Sequence, residues 1–309
     1  MRRLAYQAAA VAVALLIAGY LARNAAVNLE ERHIASGFAF LEREAGFEIS
    51  ESPFLRYSAS NTYLSALLVG IGNTLRVAVI GILAATLLGA AVGLFRLSKN
   101  FLLRTLAAAY VEFIRNSPLL VQLFFWYAVI TEALPMPREA LQPLAGVFLT
   151  NRGLYFPSPG SVPVLEGFNF AGGFVLTPEF TALLLGLTVY TAAFIAEIVR
   201  AGVLAVSRGQ WDAALAIGLT RRQALRRVVV PQALRVMVPP MASQYLNITK
   251  NSSLAVAIGY PDLVSIANST INQTGQAIEG VAIIMAVYLT ISLSISAFMN
   301  WYNARIARR

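Results

Sequence analysis

Apolar residues gather in six runs, at 8–21, 64–94, 118–134, 180–206, 236–248 and 281–301. A bilayer crossing by a helix takes about 20 apolar residues, which the second, fourth and sixth runs supply alone. The first run follows Arg2 and Arg3 in the manner of a signal peptide. No clean small-residue cleavage site comes after it, so it reads as a first span covering 1–22. Residues 102–115 alternate with helical period and are expected to lie near a membrane surface. Pro118 then suits the first turn of the next helix. The fifth run is expected to be interrupted at Pro239 and Pro240, because a proline interior to a helix lacks an N–H and crowds the preceding turn.

The polar stretches between these runs are unlike one another. Residues 23–63 are acidic, with Glu30, Glu31, Glu42, Glu44, Glu48 and Glu51, and read as an external segment. Residues 135–178 are rich in Pro and Gly and read as an external loop with short helices. Residues 250–280 are polar with apolar islands and are expected to dip into the protein and return. Arginine and lysine instead cluster at Arg2–Arg3, at Arg96, Lys99 and Arg104, from Arg208 to Arg235, and from Arg305 to Arg309. Placing every basic cluster inside satisfies the positive-inside rule at each alternation and predicts six spans with both termini cytoplasmic.

Composition agrees with a membrane protein. The chain has 309 residues, 58% hydrophobic and 13% charged, with a mean hydropathy of +0.65. A soluble domain carries about 25% charged residues. The net charge of +9 is accounted for by the inner loops and does not call for nucleic acid. Without cysteine there is no disulfide or thiol chemistry, and the single histidine, His33, rules out a multi-histidine metal site. No phosphate-cradling, nucleophile-elbow or zinc-helix motif occurs, so no cofactor is expected and the chain should not bind ATP by itself. No internal repeat is visible, which weighs against secondary carriers built from two related halves.

The longest arginine-rich interruption, 207–231, carries the most chemistry. Ser207 with Gln210, and Thr220 with Gln223, both fit the capping-box spacing at a helix start. Gly218 falls where a first short helix ends, in the position where only glycine turns left-handed cheaply. The prediction is a short helix over 211–217, a glycine turn, and a basic helix that stops at Pro231. Arg208, Arg221, Arg222, Arg226 and Arg227 face Asp212 alone. Taken alone the loop also fits a merely orienting cytoplasmic loop. A DNA-binding helix-turn-helix is disfavoured by Pro231 and by the flanking spans.

The spacing of Asp212, Ala213, Ala214, Gly218, Val228, Val230 and Pro231 resembles the Glu-Ala-Ala signature of permease subunits of bacterial ABC importers. Asp replaces Glu, and two Val replace Ile and Leu. VEFIRNSPLLVQLFFWY from Val111, YTAAFIAEIVRAG from Tyr190 and TKNSSLAVAIGYPDL from Thr249 resemble the polar amino-acid permeases, above all those of the general L-amino-acid importer. GFAFLEREAGFEIS, NRGLYFPSP and FMNWYNARIA are shared with that subgroup. Members of it have extra hydrophobic sequence where only 160–166 stands here. The resemblance implies an all-α integral membrane protein of about six transmembrane helices of the MetI-like type. It implies a permease domain over 64–309 whose loop, with Asp212, Ala213, Ala214, Gly218, Arg221, Arg222 and Pro231, docks on a separate ATPase. A second similar permease, a periplasmic amino-acid-binding protein and membrane lipid are the other implied partners, at the bacterial inner membrane.

A transported zwitterion needs both its charges paired inside the membrane. Candidate path residues are Asn73, Glu197, Gln244, Asn247, Lys250 and Asn251, with Glu112, Arg115, Asn116 and Arg200 as further polar groups near helix ends. Glu112–Arg115 and Glu197–Arg200 are equally expected to be plain i,i+3 pairs. Arg76 is expected to snorkel to an interface. The alternatives are an ion-coupled secondary carrier using Glu112, Glu197 or Lys250, and a membrane-bound enzyme or assembly factor, which lacks any paired catalytic groups.

Overall fold

A computed structural model describes residues 2–31 and 36–307. His33, Arg308 and Arg309 lie outside the described residues. Ten α-helices carry the described chain: α1 (Arg2–Glu31), α2 (Tyr63–Arg96), α3 (Phe101–Asn116), α4 (Leu119–Ala128), α5 (Pro178–Leu204), α6 (Arg208–Ala216), α7 (Arg221–Ala224), α8 (Val230–Asn251), α9 (Leu263–Thr274) and α10 (Ala277–Ala307). Three of them, α2, α5 and α10, are long and apolar enough to cross a membrane. Two further pairs reach that length only as broken spans. The first joins α3 to the stretch through Ala133 with a 106° bend, and the second joins the helices from Arg221 to Ile258 to α9 with a 54° bend. Helix α1 runs past the expected boundary at residue 22, and its apolar stretch is only Ala9–Leu21.

Helix α5 is the hub, packed by α2, α3, α4 and α8. Its contact with α2 is close because Gly89 and Gly93 bring the two backbones together. A Cβ at Gly89 would sit 2.7 Å from Ile195 and 2.8 Å from the Ala192 carbonyl, and one at Gly93 would sit 2.8 Å from the Ala196 carbonyl. Small residues one turn apart are how membrane helices approach without bulky side chains between them. Around this seam lie Val77, Ala85, Leu183, Leu187, Ile195 and Ile248, all fully or nearly fully buried.

The acidic segment from residue 36 to 62 is tied down rather than loose. A single 3₁₀ turn (Phe38–Glu42) sets Phe40 edge-on to Tyr63, ring centroids 6.0 Å apart, in a second small core with Ala66, Leu67, Leu263 and Ile266. Glu51 reaches Arg76 at 2.7 Å and also accepts from the Thr177 hydroxyl. Burial pushes the Glu51 carboxyl above its ordinary range, while Thr177 and Arg76 pull it back. Arg76 therefore does not snorkel. It is only 8% exposed and its guanidinium lies 3.8 Å from the centroid of the Phe180 ring, because a buried carboxylate was available to it.

The Pro/Gly-rich loop corrects the expectation of short helices and of a purely helical chain. Apart from one 3₁₀ turn (Pro137–Glu139), it folds as six short strands: β1 (Leu141–Leu144), β2 (Val147–Thr150), β3 (Gly153–Phe156), β4 (Val164–Glu166), β5 (Asn169–Ala171) and β6 (Phe174–Leu176). They form an antiparallel sheet in the order β1-β2-β3-β6 and a separate β4-β5 hairpin. Aromatic and β-branched residues recur in every strand but β1, and Gly146, Gly160, Gly167, Gly172 and Gly173 sit in the connections between elements with left-handed backbone. Phe148 stacks on Phe170 at 4.3 Å, joining the two units.

The prolines are absorbed without breaking helices. Pro239 and Pro240 lie inside a continuous α8. Pro231 does not end the basic helix either. A wide π-turn (Leu225–Val229) precedes it, and the Val230 N–H bonds back to the Leu225 carbonyl. The register shift of a wide turn accommodates the hydrogen bond that proline cannot donate. After Asn251 the chain passes a 3₁₀ turn (Ser252–Ile258), turns at Gly259 and returns as α9, capped by Asp262 accepting from the Ser265 N–H at 2.8 Å.

Candidate functional site

The segment 207–231 keeps most of its expected local structure. Helix α6 ends in a Schellman turn. The Gly218 N–H bonds to the Leu215 carbonyl at 3.0 Å, the Leu219 N–H bonds to the Ala214 carbonyl at 3.2 Å, and Gly218 has φ +84°. Thr220 and Gln223 form the reciprocal capping box at the start of α7. Ser207 differs. It occupies the N-cap of α6, but its side chain accepts no capping bond. Gln210 is drawn away to Gln232, whose amide donates to it at 3.1 Å.

The result is a knuckle of two short helices that presents its polar side outward. Asp212, Ala213, Gly218, Arg221, Arg222 and Pro231 are exposed, and Ala214 alone of the signature positions is buried. A shallow cleft of about 580 Å³ lies between α6 and α7, lined by Arg208, Trp211, Asp212, Leu215, Arg221, Arg222 and Leu225. Asp212 makes no ion pair among the described residues, so the cleft is net basic with one free carboxylate. Trp211 is half-buried against the main core and anchors the knuckle to the membrane helices. Its role was not read from the sequence. A lone tryptophan beside Gly and Gln signals nothing until its packing is seen.

The candidate path residues do not converge. Asn73 is fully buried, and its amide donates to the carbonyls of Glu51 and Pro261, both at 2.9 Å. Glu197 is held by Arg96 and by Arg200, the latter at 2.5 Å, as the i,i+3 expectation required. Arg96 ends α2, so Glu197 and Asn73 are about 35 Å apart along that helix at 1.5 Å per residue. Glu112 does not pair with Arg115. It accepts from Asn116 at 3.1 Å, while Arg115 lies over the Phe194 ring, 5.1 Å from its centroid. Gln244, Asn247 and Asn251 share one face of α8 by their spacing, with Lys250 beside them. Their side chains make no hydrogen bond among the described residues, and Asn247 and Lys250 are exposed. Glu112 and Glu197, the carboxylates an ion-coupled carrier would need, are engaged by neighbours.

The chain matches the family model described as the binding-protein-dependent transport system inner membrane component over residues 62–308. It is 42% identical to the general L-amino acid transport system permease protein AapQ of Rhizobium johnstonii, covering 99% of this chain and 92% of that protein. It is 36% identical to the glutamate/glutamine/aspartate/asparagine transport system permease protein BztB of Rhodobacter capsulatus, covering 96% and 92%. Both alignments run longer than this chain's 309 residues, at 370 and 392 positions, so the relatives carry sequence with no counterpart here. Among solved structures, one described as an amino acid ABC transporter with histidines superposes with a TM-score of 0.60 at 26% identity, covering 79% of this chain and 95% of that one. With the family model spanning most of the chain and relatives matched nearly end to end, this chain belongs to the family of inner membrane components of binding-protein-dependent transport systems.

Proposed function

We propose that the chain is the transmembrane permease subunit of an ATP-driven ABC importer that moves L-amino acids across the bacterial inner membrane. The observation that carries this reading is the knuckle of α6 and α7, a capped, glycine-turned projection with an exposed basic cleft and a half-buried tryptophan at its root. A separate ATPase subunit grips Asp212, Ala213, Gly218, Arg221 and Arg222, and its closure moves α8 through the continuous helix beyond Pro231. The family's dependence on a binding protein supports such a partner here, and in this reading it docks on the outer side, over the β-strand unit and the segment 36–62.

The topology that supports this role has six crossings, counting α1 and the two broken spans with α2, α5 and α10, and both termini in the cytoplasm. The unpartnered face of α8 with Gln244, Asn247 and Asn251 lines the substrate route against a second, similar permease. Asn73 and Glu197 hold the walls and do not touch substrate in this arrangement. Lys250, exposed at the end of α8, is the remaining charged group placed to meet a carboxylate.

The test is reconstitution with the ATPase and binding protein in proteoliposomes. Uptake of labelled L-amino acids should require ATP and be competed by a panel of unlabelled ones. Uptake driven by an ion gradient with no ATPase present would sink the proposal. Protease cleavage of 207–231 from outside intact cells would sink the orientation.

A further inference from the structure

Where α8 begins and α10 ends, the two helices enclose a cavity of about 710 Å³ outside the coupling cleft. Arg227 and Arg235 line it from one side. Phe298, Trp301, Tyr302 and Arg305 line it from the other, recurring three, four and seven residues apart along one face of α10. None of the three arginines forms an ion pair among the described residues. The Arg305 guanidinium lies over the Trp301 ring, 5.4 Å from its centroid, and Phe298 stacks with Tyr302 at 6.4 Å.

Three convergent guanidinium groups without a carboxylate make a site for an anion, and their forked donors match phosphate oxygens. The aromatic side chains say which source of phosphate fits. Trp and Tyr collect at the level of lipid headgroups, where one edge of the ring is apolar and the other wet. The most apolar window of α10 has none of its residues buried within the chain, so this helix is not sheathed by its own fold. Basic pockets between helices at a membrane surface hold anionic lipid headgroups.

We infer that Arg227, Arg235 and Arg305, with Trp301 and Tyr302, form a binding site for the phosphate of an anionic phospholipid at the membrane surface, at the C-terminal end of the coupling segment. The inference goes beyond the transport reading and does not depend on it, since it requires only that α10 ends at a bilayer surface. Arg227 sits in the wide turn that joins α7 to α8, so a lipid held there braces the root of the knuckle.

The test uses the assembled transporter in nanodiscs of phosphatidylcholine with increasing phosphatidylglycerol, with retained lipid measured by native mass spectrometry. Phosphatidylglycerol should be retained over phosphatidylcholine. Arg227→Gln, Arg235→Gln and Arg305→Gln together should weaken that retention roughly a hundredfold, and Arg305→Gln alone about fivefold. The single variant lies in an exposed last turn and keeps the test decisive if the triple variant fails to assemble. Equal retention of the two lipids, or retention unchanged in Arg305→Gln, overturns the site. Displacement by millimolar glycerol 3-phosphate assigns it to a soluble phosphate ester instead of lipid. Retention that disappears when the ATPase is stripped off assigns the surface to that protein. Either of these results overturns the lipid assignment.

Discussion

Gly218→Asp separates docking from folding. The backbone at Gly218 has φ +84°, and a Cβ built there meets nothing within 4 Å. The cost of the substitution is therefore conformational, not steric. It amounts to about 1–2 kcal/mol for an ordinary residue in the left-handed region and less for Asp, which visits that region more readily. A loss of this size in a surface turn should lower the melting temperature of the purified subunit by no more than about 4 °C, and membrane insertion should be intact. The new carboxylate stands on the exposed knuckle, at the edge of a net basic cleft that is the proposed ATPase contact. A docking loss of about 1.4 kcal/mol weakens the ATPase affinity tenfold, and the bound ATPase falls in proportion when it is kept below saturation. ATP-dependent uptake in proteoliposomes should fall at least that much, with less ATPase recovered on co-purification. Gly218→Asn carries the same backbone cost without the charge and shows how much of the loss the charge causes. Full uptake by Gly218→Asp with the ATPase still bound would refute the coupling assignment. A subunit missing from the membrane would refute the claim that the space around Gly218 is open.

Gly89→Leu should behave in the opposite way. Its side chain has to enter a gap where a Cβ already lies 2.7 Å from Ile195, so the subunit loses about 1–3 kcal/mol or more and should aggregate in a detergent-stability assay before transport can be measured. Thr220→Ala removes a satisfied cap and should cost about 1 kcal/mol, seen as faster hydrogen exchange at 221–224, whereas Ser207→Ala, at an unused cap, should leave exchange of α6 unchanged. Arg76→Met strands a buried Glu51 and should destabilise the fold by about 3–5 kcal/mol, while the double variant Glu51→Leu/Arg76→Met should recover much of that loss in the same melting assay, because the uncompensated charge has gone.

Length and hydropathy were enough to find α2, α5 and α10 in the sequence. The knuckle was legible as well, since Thr220, Gln223 and Gly218 act through backbone geometry within a few residues of themselves. What could not be read depends on partners distant in sequence. Arg76 looks like a snorkelling side chain until Glu51 and Phe180, 25 and 104 positions away, are folded around it. Gln210 looks like half of a capping box until Gln232 takes its side chain. Glu112 and Arg115 have the spacing of a pair, but Asn116 and the Phe194 ring are better placed. The Pro/Gly loop was misjudged for another reason. Strands of three or four residues give too little alternation to register as period two, and only the recurrence of glycine between aromatic and β-branched residues marked them.

The distribution of ion pairs bears on how motion can cross the subunit. Helices α2 and α5 are tied together twice: by the cluster of Glu51, Arg76, Thr177 and Phe180 at the start of α5 and part-way along α2, and by Arg96, Glu197 and Arg200 at the end of α2 and in the last third of α5. Between these two ties Gly89 and Gly93 leave no slack. Two helices tied at two levels and close-packed between them form a stiff unit, because packed interiors do not deform continuously. The knuckle packs on the core through Trp211, and α8, which continues from it, packs on α5 where Met237 fills the gap beside Gly202. On the proposed coupling role, a push on the knuckle would load α2 and α5 as one body, with α8, which carries Gln244, Asn247 and Asn251, as the lever that delivers it.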